Sequence, residues 1–124
     1  MNWYKTAQVD YQKKIKALQE HLMSQYPGLD LELWVSSNGY VELAVLEVPK
    51  EKQNQGIGHA VVSEVKSFAK KMGLPVVIRP SASYGKKEAL NRFYKDLEFT
   101  PNKGRNKDYR LTSPIGPTMY WKPN

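Results

Sequence analysis

No cysteine occurs among the 124 residues, which rules out a disulfide framework, a thiolate nucleophile and a Cys-type zinc site, and leaves the redox compartment undetermined. Histidine is almost as scarce. His21 and His59 are the two present, and with no carboxylate spacing beside either they make no metal set. No apolar run approaches the roughly 18 residues of a membrane span. The opening Met1-Asn2-Trp3-Tyr4-Lys5 also lacks the apolar stretch of a secretory signal, so the expected location is the cytoplasm, with no membrane partner. Internal repeats, linkers and low-complexity segments are missing too, so residues 1–124 read as one domain whose oligomeric state is open.

What is present is an ordinary globular mixture: 40% hydrophobic residues suffice at this length for an apolar core without metal or disulfide staples. Nineteen Lys and Arg against twelve Asp and Glu give a formal charge of +7. A bias of that sign attracts polyanions, whether nucleic acid, an acidic protein face or a cofactor with several phosphates, and it equally suits a merely soluble basic surface.

From Val9 to about Tyr26, the apolar residues Ile15, Leu18 and Leu22 recur at helical spacing among lysines, which predicts an amphipathic helix ended by Pro27-Gly28. Leu29, Leu31, Leu33 and Val35 then alternate with Asp30, Glu32 and Trp34, the period of a strand with one buried face. Ser36-Ser37-Asn38-Gly39 supplies a tight turn, and Tyr40 to Val48 returns as an antiparallel strand. After Pro49 and a polar loop, a helix follows Gly58 with the apolar face Ala60, Val61, Val65, Phe68, Ala69 and Met72, capped by Gly73. Val76-Val77-Ile78 is uniformly apolar and reads as a buried strand parallel to the one before the helix, completing a βαβ unit. A polar loop from Arg79 to Lys87 leads to a second helix, about Glu88 to Leu97. Asp108 to Thr112 and Thr118 to Lys122 are further strand candidates, joined by the Ser113-Pro114-Ile115-Gly116-Pro117 turn.

The segment richest in chemistry is Gln53-Asn54-Gln55-Gly56-Ile57-Gly58-His59. Two glycines opening a helix expose backbone N–H groups, and the helix dipole adds to their pull on a phosphate. A Cβ there would obstruct close approach of the backbone to a pyrophosphate. The third glycine of a dinucleotide fingerprint and the Lys-Ser/Thr of a P-loop are both lacking, so these two glycines alone equally fit a plain strand-to-helix turn.

The order of the surrounding elements is more specific. An apolar strand, Pro49, a polar loop, Gln53-x-x-Gly56-x-Gly58, a long helix, Gly73-Leu74, the strand Val76 to Ile78, and a helix carrying Ala89, Phe93, Tyr94 and Leu97 before Phe99 resemble the GNAT N-acetyltransferases over about Val41 to Phe99. The resemblance implies an α+β fold with a mixed, mostly antiparallel sheet splayed at a cofactor cleft. It implies acetyl-CoA as co-substrate, its pantetheine arm bonded by the backbone of Leu46 and Val48. Its pyrophosphate is expected on the N–H groups of Gln55, Gly56, Ile57, Gly58 and His59, with Gln53 in the same loop and Lys50 and Lys52 near enough to assist.

Direct acetyl transfer to an amine needs a deprotonated nucleophile and a proton for the departing thiolate. The resemblance places the proton donor at Tyr94, a residue that otherwise simply packs its helix on the sheet. Glu42, where the histone-acetyltransferase branch carries a glutamate, and Glu47, beside the expected splay, are the two candidates for general base. Departures from the family are Glu98 where a glycine usually precedes the final phenylalanine, and Lys87 in place of an asparagine, leaving Ser81, Ser83 or Asn91 as polar contacts to the cofactor arm. A short N-terminal half implies a shallow acceptor groove that suits a protein lysine better than an enclosed metabolite. Short domains of this kind resemble phage-borne and accessory acetyltransferases that modify lysines on host or defence proteins. Two other readings stay open: a catalytically silent CoA-binding module, and a basic nucleic-acid-binding or protein-binding module using Lys103, Arg105, Lys107 and Arg110 around Tyr109.

Overall fold

The computed structural model describes residues 3–79, 87–113 and 117–123. Ser81, Ser83 and most of the Ser113 to Pro117 turn lie outside them. Helix α1 runs Trp3–Gln25, starting earlier than the apolar spacing predicts. Strands β1 (Asp30–Val35) and β2 (Val41–Glu47) follow, then α2 (Ile57–Met72), β3 (Val76–Ile78), α3 (Lys87–Asp96), β4 (Thr100–Pro101) and β5 (Met119–Trp121). The five strands form one sheet in the order β1-β2-β3-β5-β4. Only the β2/β3 pair is parallel, and it flanks α2 as the βαβ reading requires.

Alternation assigns the two faces. Leu31, Leu33 and Val35 of β1, Val41 and Leu43 of β2, and Val76 and Ile78 of β3 are buried in the main core. Ile15 and Leu22 of α1 and Val61, Val62, Val65 and Ala69 of α2 cover them. Each fully buried valine or leucine contributes about 1.5–3 kcal/mol relative to exposure, so this layer dominates stability. Tyr94, Leu97 and Phe99 join the same core from α3 and its exit. The opposite face carries a smaller cluster of Tyr40, Val77 and Leu111, with Tyr120 against it.

The outer edge of β1 is closed by α1. Gln19 Oε1 accepts the N–H of Leu33 at 2.8 Å; Gln12 Oε1 accepts that of Val35 at 3.2 Å, while Gln12 Nε2 donates to Val35 O. Two glutamines seven residues apart share a helix face, and here they satisfy groups that would otherwise offer a template for another strand.

The Asp108 to Thr112 strand is not formed. Tyr109–Leu111 is a 3₁₀ turn, because local side chain to backbone bonds outcompete a ladder there. Asp108 Oδ1 accepts the N–H of Arg110 at 3.0 Å, and the buried Asn102 accepts the Asp108 N–H at 2.7 Å while donating to Asp108 O at 3.0 Å. β5 pairs instead with β3 and with β4, a two-residue strand whose brevity leaves no periodic signal.

Glu98 answers the question raised by its unusual identity. Its φ is +70°, the left-handed conformation a glycine adopts without penalty. Phe99 N–H bonds Tyr94 O and Glu98 N–H bonds Lys95 O, both at 2.9 Å, a Schellman ending. α2 ends in the same way at Gly73-Leu74. The turn therefore keeps the glycine geometry with a side chain strained into it. Glu98→Gly is expected to raise unfolding free energy by about 1 kcal/mol, measured as a higher guanidinium midpoint at constant slope. A lower midpoint would show that the glutamate side chain outweighs its backbone cost.

Candidate functional site

The site begins where β2 leaves β3. Val41, Glu42 and Leu43 pair with Val76, Val77 and Ile78, and there the parallel ladder stops. β2 continues to Glu47 with β1 on its other side. In the β1/β2 register, Leu33 faces Leu43 while Glu32 faces Val45, so Ala44 is an extra residue. Such a bulge bends its strand and increases local twist, and it falls just past the last β2 residue paired with β3.

The bulge also settles which groups face the opening. Leu33 and Val35 direct their N–H groups outward to α1, and Val41 N–H bonds Pro75 O at 2.8 Å on the β3 side. These are therefore the non-hydrogen-bonded pairs of the β1/β2 ladder. Leu31 and Leu46 stand two residues further along β1 in the same phase, so the backbone polar groups of Leu46 point away from β1 into the gap. No strand among the described residues takes them up. The Val48 carbonyl accepts Gln53 Nε2 at 3.0 Å, a contact that folds the polar loop back onto the end of β2.

Gly56 caps α2 with φ +78°, and no side chain caps that helix end. The first bond into the helix is Ala60 N–H to Gly56 O at 3.0 Å, so the N–H groups of Ile57, Gly58 and His59 precede the ladder. Gln53, Gln55 and Gly56 are exposed, and Ile57 and Gly58 half-buried. Lys52 is directed elsewhere: its Nζ bonds Pro27 O at 2.8 Å.

The two glycines do different work. A Cβ on Gly56 would meet nothing within 4 Å, and its positive φ is what favours glycine. A Cβ on Gly58 would lie 3.1 Å from Phe93 Cζ, so this glycine admits α3 against the first turn of α2. His59, exposed, sets its ring edge-on to Phe93 at 4.9 Å between centroids. Phe93 continues in T-shaped contact to Tyr94, and Tyr94 to Phe99.

Tyr94 is 8% exposed, and burial pushes its phenol up to about 12. Asn91, half-buried, lies one helical turn before it on α3. Glu42 and Glu47 share the sheet face away from α1 and α2, on either side of the bulge. Glu42 is half-buried and paired with Arg79 at 3.5 Å, whereas Glu47 is exposed. Among the described residues no group of His, Asp and Glu could hold a metal, and no helix is long and apolar enough to cross a membrane.

A second surface concavity, about 490 Å³, lies apart from this gap and is lined by Arg105, Lys107, Tyr109, Arg110, Tyr120 and Lys122 among others. Its basic residues were legible, but their meeting with β5 depends on the Asn102 network. Within it, Arg110 and Lys122 hold the Asp108 carboxyl well below the usual carboxylate range.

No protein-family model matches the chain, and no curated protein matches it either. Solved structures do. The crystal structure of the anti-CRISPR protein AcrVA5 aligns with a TM-score of 0.56 and 25% identity, over 77% of this chain and 90% of that one. That of Ard1 from Thermoplasma volcanium aligns with a TM-score of 0.54 and 16% identity, over 87% of this chain and 79% of that one. The chain has a GNAT-like fold, in keeping with its mixed, mostly antiparallel sheet.

Gly58→Ala tests the contact that sets α3 on α2. Overpacking of about 1–3 kcal/mol exceeds the helix-propensity gain of up to about 1 kcal/mol, so a net loss of stability is expected. The loss should shrink in a Phe93→Leu background; equal losses in both backgrounds, measured by a double-mutant cycle, would disconnect the two residues.

Proposed function

We propose that this chain is an acetyl-CoA-dependent N-acetyltransferase that passes the acetyl group directly to a primary amine, with a protein lysine as acceptor. The observation that carries the reading is a helix N-terminus without a side-chain cap beside a strand whose parallel pairing ends at Leu43. Exposed N–H groups from Gln55 to His59 fit a diphosphate, and the α2 dipole adds to their attraction. The open backbone at Leu46, and the N–H of Val48 beyond it, fit the amides of a pantetheine arm laid alongside as a further strand would be. Asn91 offers a side-chain amide to the same arm. The GNAT-like fold of AcrVA5 and Ard1 supports the assignment.

Holding both reactants in the gap supplies much of the rate by proximity. The amine nitrogen bonds the thioester carbonyl carbon, the carbon–sulfur bond breaks, and the departing thiolate takes a proton. Tyr94 supplies that proton: burial keeps its phenol in the donating form throughout the neutral range. Glu42, held by Arg79, receives the proton lost by the amine through water, with Glu47 as the other candidate. Helices α1 and α2 cover one face of the sheet; on the other, past the small cluster of Tyr40, Val77 and Leu111, the exposed Glu47 end of β2 is where a protein surface would dock. Since one structural relative is an anti-CRISPR protein, a CRISPR component is the acceptor protein to try first.

Calorimetry and thiol release test the reading together. Acetyl-CoA should bind pure protein with measurable heat, and Tyr94→Phe should leave that affinity nearly unchanged while lowering kcat by roughly a hundredfold or more. Absence of any heat would overturn the enzyme assignment; an unchanged kcat would remove Tyr94 from the chemistry. A phenol raised to about 12 is deprotonated only far above neutrality, so Tyr94 should impose no alkaline limb on kcat below about pH 10.

A further inference from the structure

The basic run around Tyr109 lies outside the groups assigned to acetyl transfer, and the fold gives it shape. Two 3₁₀ turns, Gly104–Asn106 and Tyr109–Leu111, meet β5 around the concavity of about 490 Å³. Arg105, Lys107, Arg110 and Lys122 line it against a single carboxylate, Asp108, which is already engaged by Arg110 at 3.3 Å and Lys122 at 2.8 Å. Tyr109 is 80% exposed, a degree of exposure that packing does not require of an aromatic ring. Lys107 Nζ stands 5.4 Å from its centroid, and Lys122 Nζ stands 5.1 Å from that of Tyr120.

The surface is held from beneath. Asn102, 8% exposed, and Thr118, 5% exposed, are buried polar residues. Asn102 clamps both backbone groups of Asp108 and donates to Thr118 Oγ1 at 3.1 Å, while Thr118 Oγ1 donates to Leu111 O at 2.9 Å. Tyr120 Oη donates to Asn106 O. The turns that bear the cations and Tyr109 therefore rest on a satisfied polar frame, which lowers the backbone ordering cost of binding.

We propose that this concavity binds single-stranded nucleic acid, a base stacking on Tyr109 and neighbouring phosphates lying against Arg105, Lys107, Arg110 and Lys122. Basic grooves with exposed aromatic rings bind single strands because every base has a π-face, and the cations track the backbone. An acidic peptide would use the cations and leave the Tyr109 ring without a role. A duplex would keep its bases stacked on one another. None of the lining residues belongs to the Gln53 to His59 loop, so the proposal stands or falls separately from acetyl transfer.

The test is fluorescence anisotropy with a labelled oligothymidylate of about 12 nucleotides, a duplex of the same length and polyglutamate, across a salt series. Expected is tighter binding of the single strand than of either competitor, and a roughly tenfold loss in Tyr109→Ala, in line with the loss of one stacked base. Lys107→Gln should reduce the salt slope by about one phosphate contact. Tyr109 is exposed, so its variant should fold, and unchanged circular dichroism and thermal midpoint confirm this. Equal affinity for duplex or polyglutamate, no binding at all, or an affinity indifferent to Tyr109→Ala would each overturn the proposal.

Discussion

The run of β2 beyond the end of β3 is the constraint on which the candidate active site depends. A parallel pair joined through α2 would ordinarily run on for the length of its strands. Here β3 ends after three residues, all of them paired with β2, and the extra residue at Ala44 lies where β2 runs on in register with β1 alone. Leu46 consequently turns its peptide groups into a gap instead of a ladder. α2 starts close in sequence to the end of that strand, with Gln53 fastening the intervening loop to Val48. A helix terminus that attracts anions and a strand edge that accepts a partner are thus brought together by one local irregularity.

Around that gap, aromatic contacts carry the positioning. Gly58 lets Phe93 approach the first turn of α2, and the chain of rings from His59 through Phe93 and Tyr94 to Phe99 ties α3 to both the loop and the core. The burial that gives Tyr94 a structural role also keeps it protonated. Packing and the proposed proton donation therefore draw on one property of this residue rather than competing for it. Phe99 reaches its place because Glu98 accepts a left-handed backbone, so the strain in that turn supports a contact made by the next residue.

The far side of the sheet is organised differently. Its apolar cluster is small, and the segment from Asn102 to Leu111 is held to β5 chiefly by buried hydrogen bonds. A satisfied polar network specifies geometry more sharply than apolar contact does, and this one fixes two short turns bearing a dense set of cations. The two proposed functional surfaces thus rest on different forces, apolar packing under the glycine loop and polar clamping under the basic concavity.

Much of this was legible in residue order. Apolar periodicity located α1, β1, β2 and α2, the uniformly apolar Val76 to Ile78 announced a strand buried on both faces, and the glycine loop marked where a helix opens without a side-chain cap. These signals are local: each depends on a repeat or a backbone preference expressed within a few residues. Tertiary structure alone decided the rest. The bulge at Ala44 depends on pairing with β1, and the pairing of Glu42 with Arg79 on two strands meeting. The second purpose of Gly58 depends on a ring 35 positions away. Asp108 to Thr112 resembles a strand until Asn102 supplies bonds that a ladder cannot match. Composition and spacing determine what each segment can form, whereas long-range contacts choose among those forms because their energy exists only once distant segments have met.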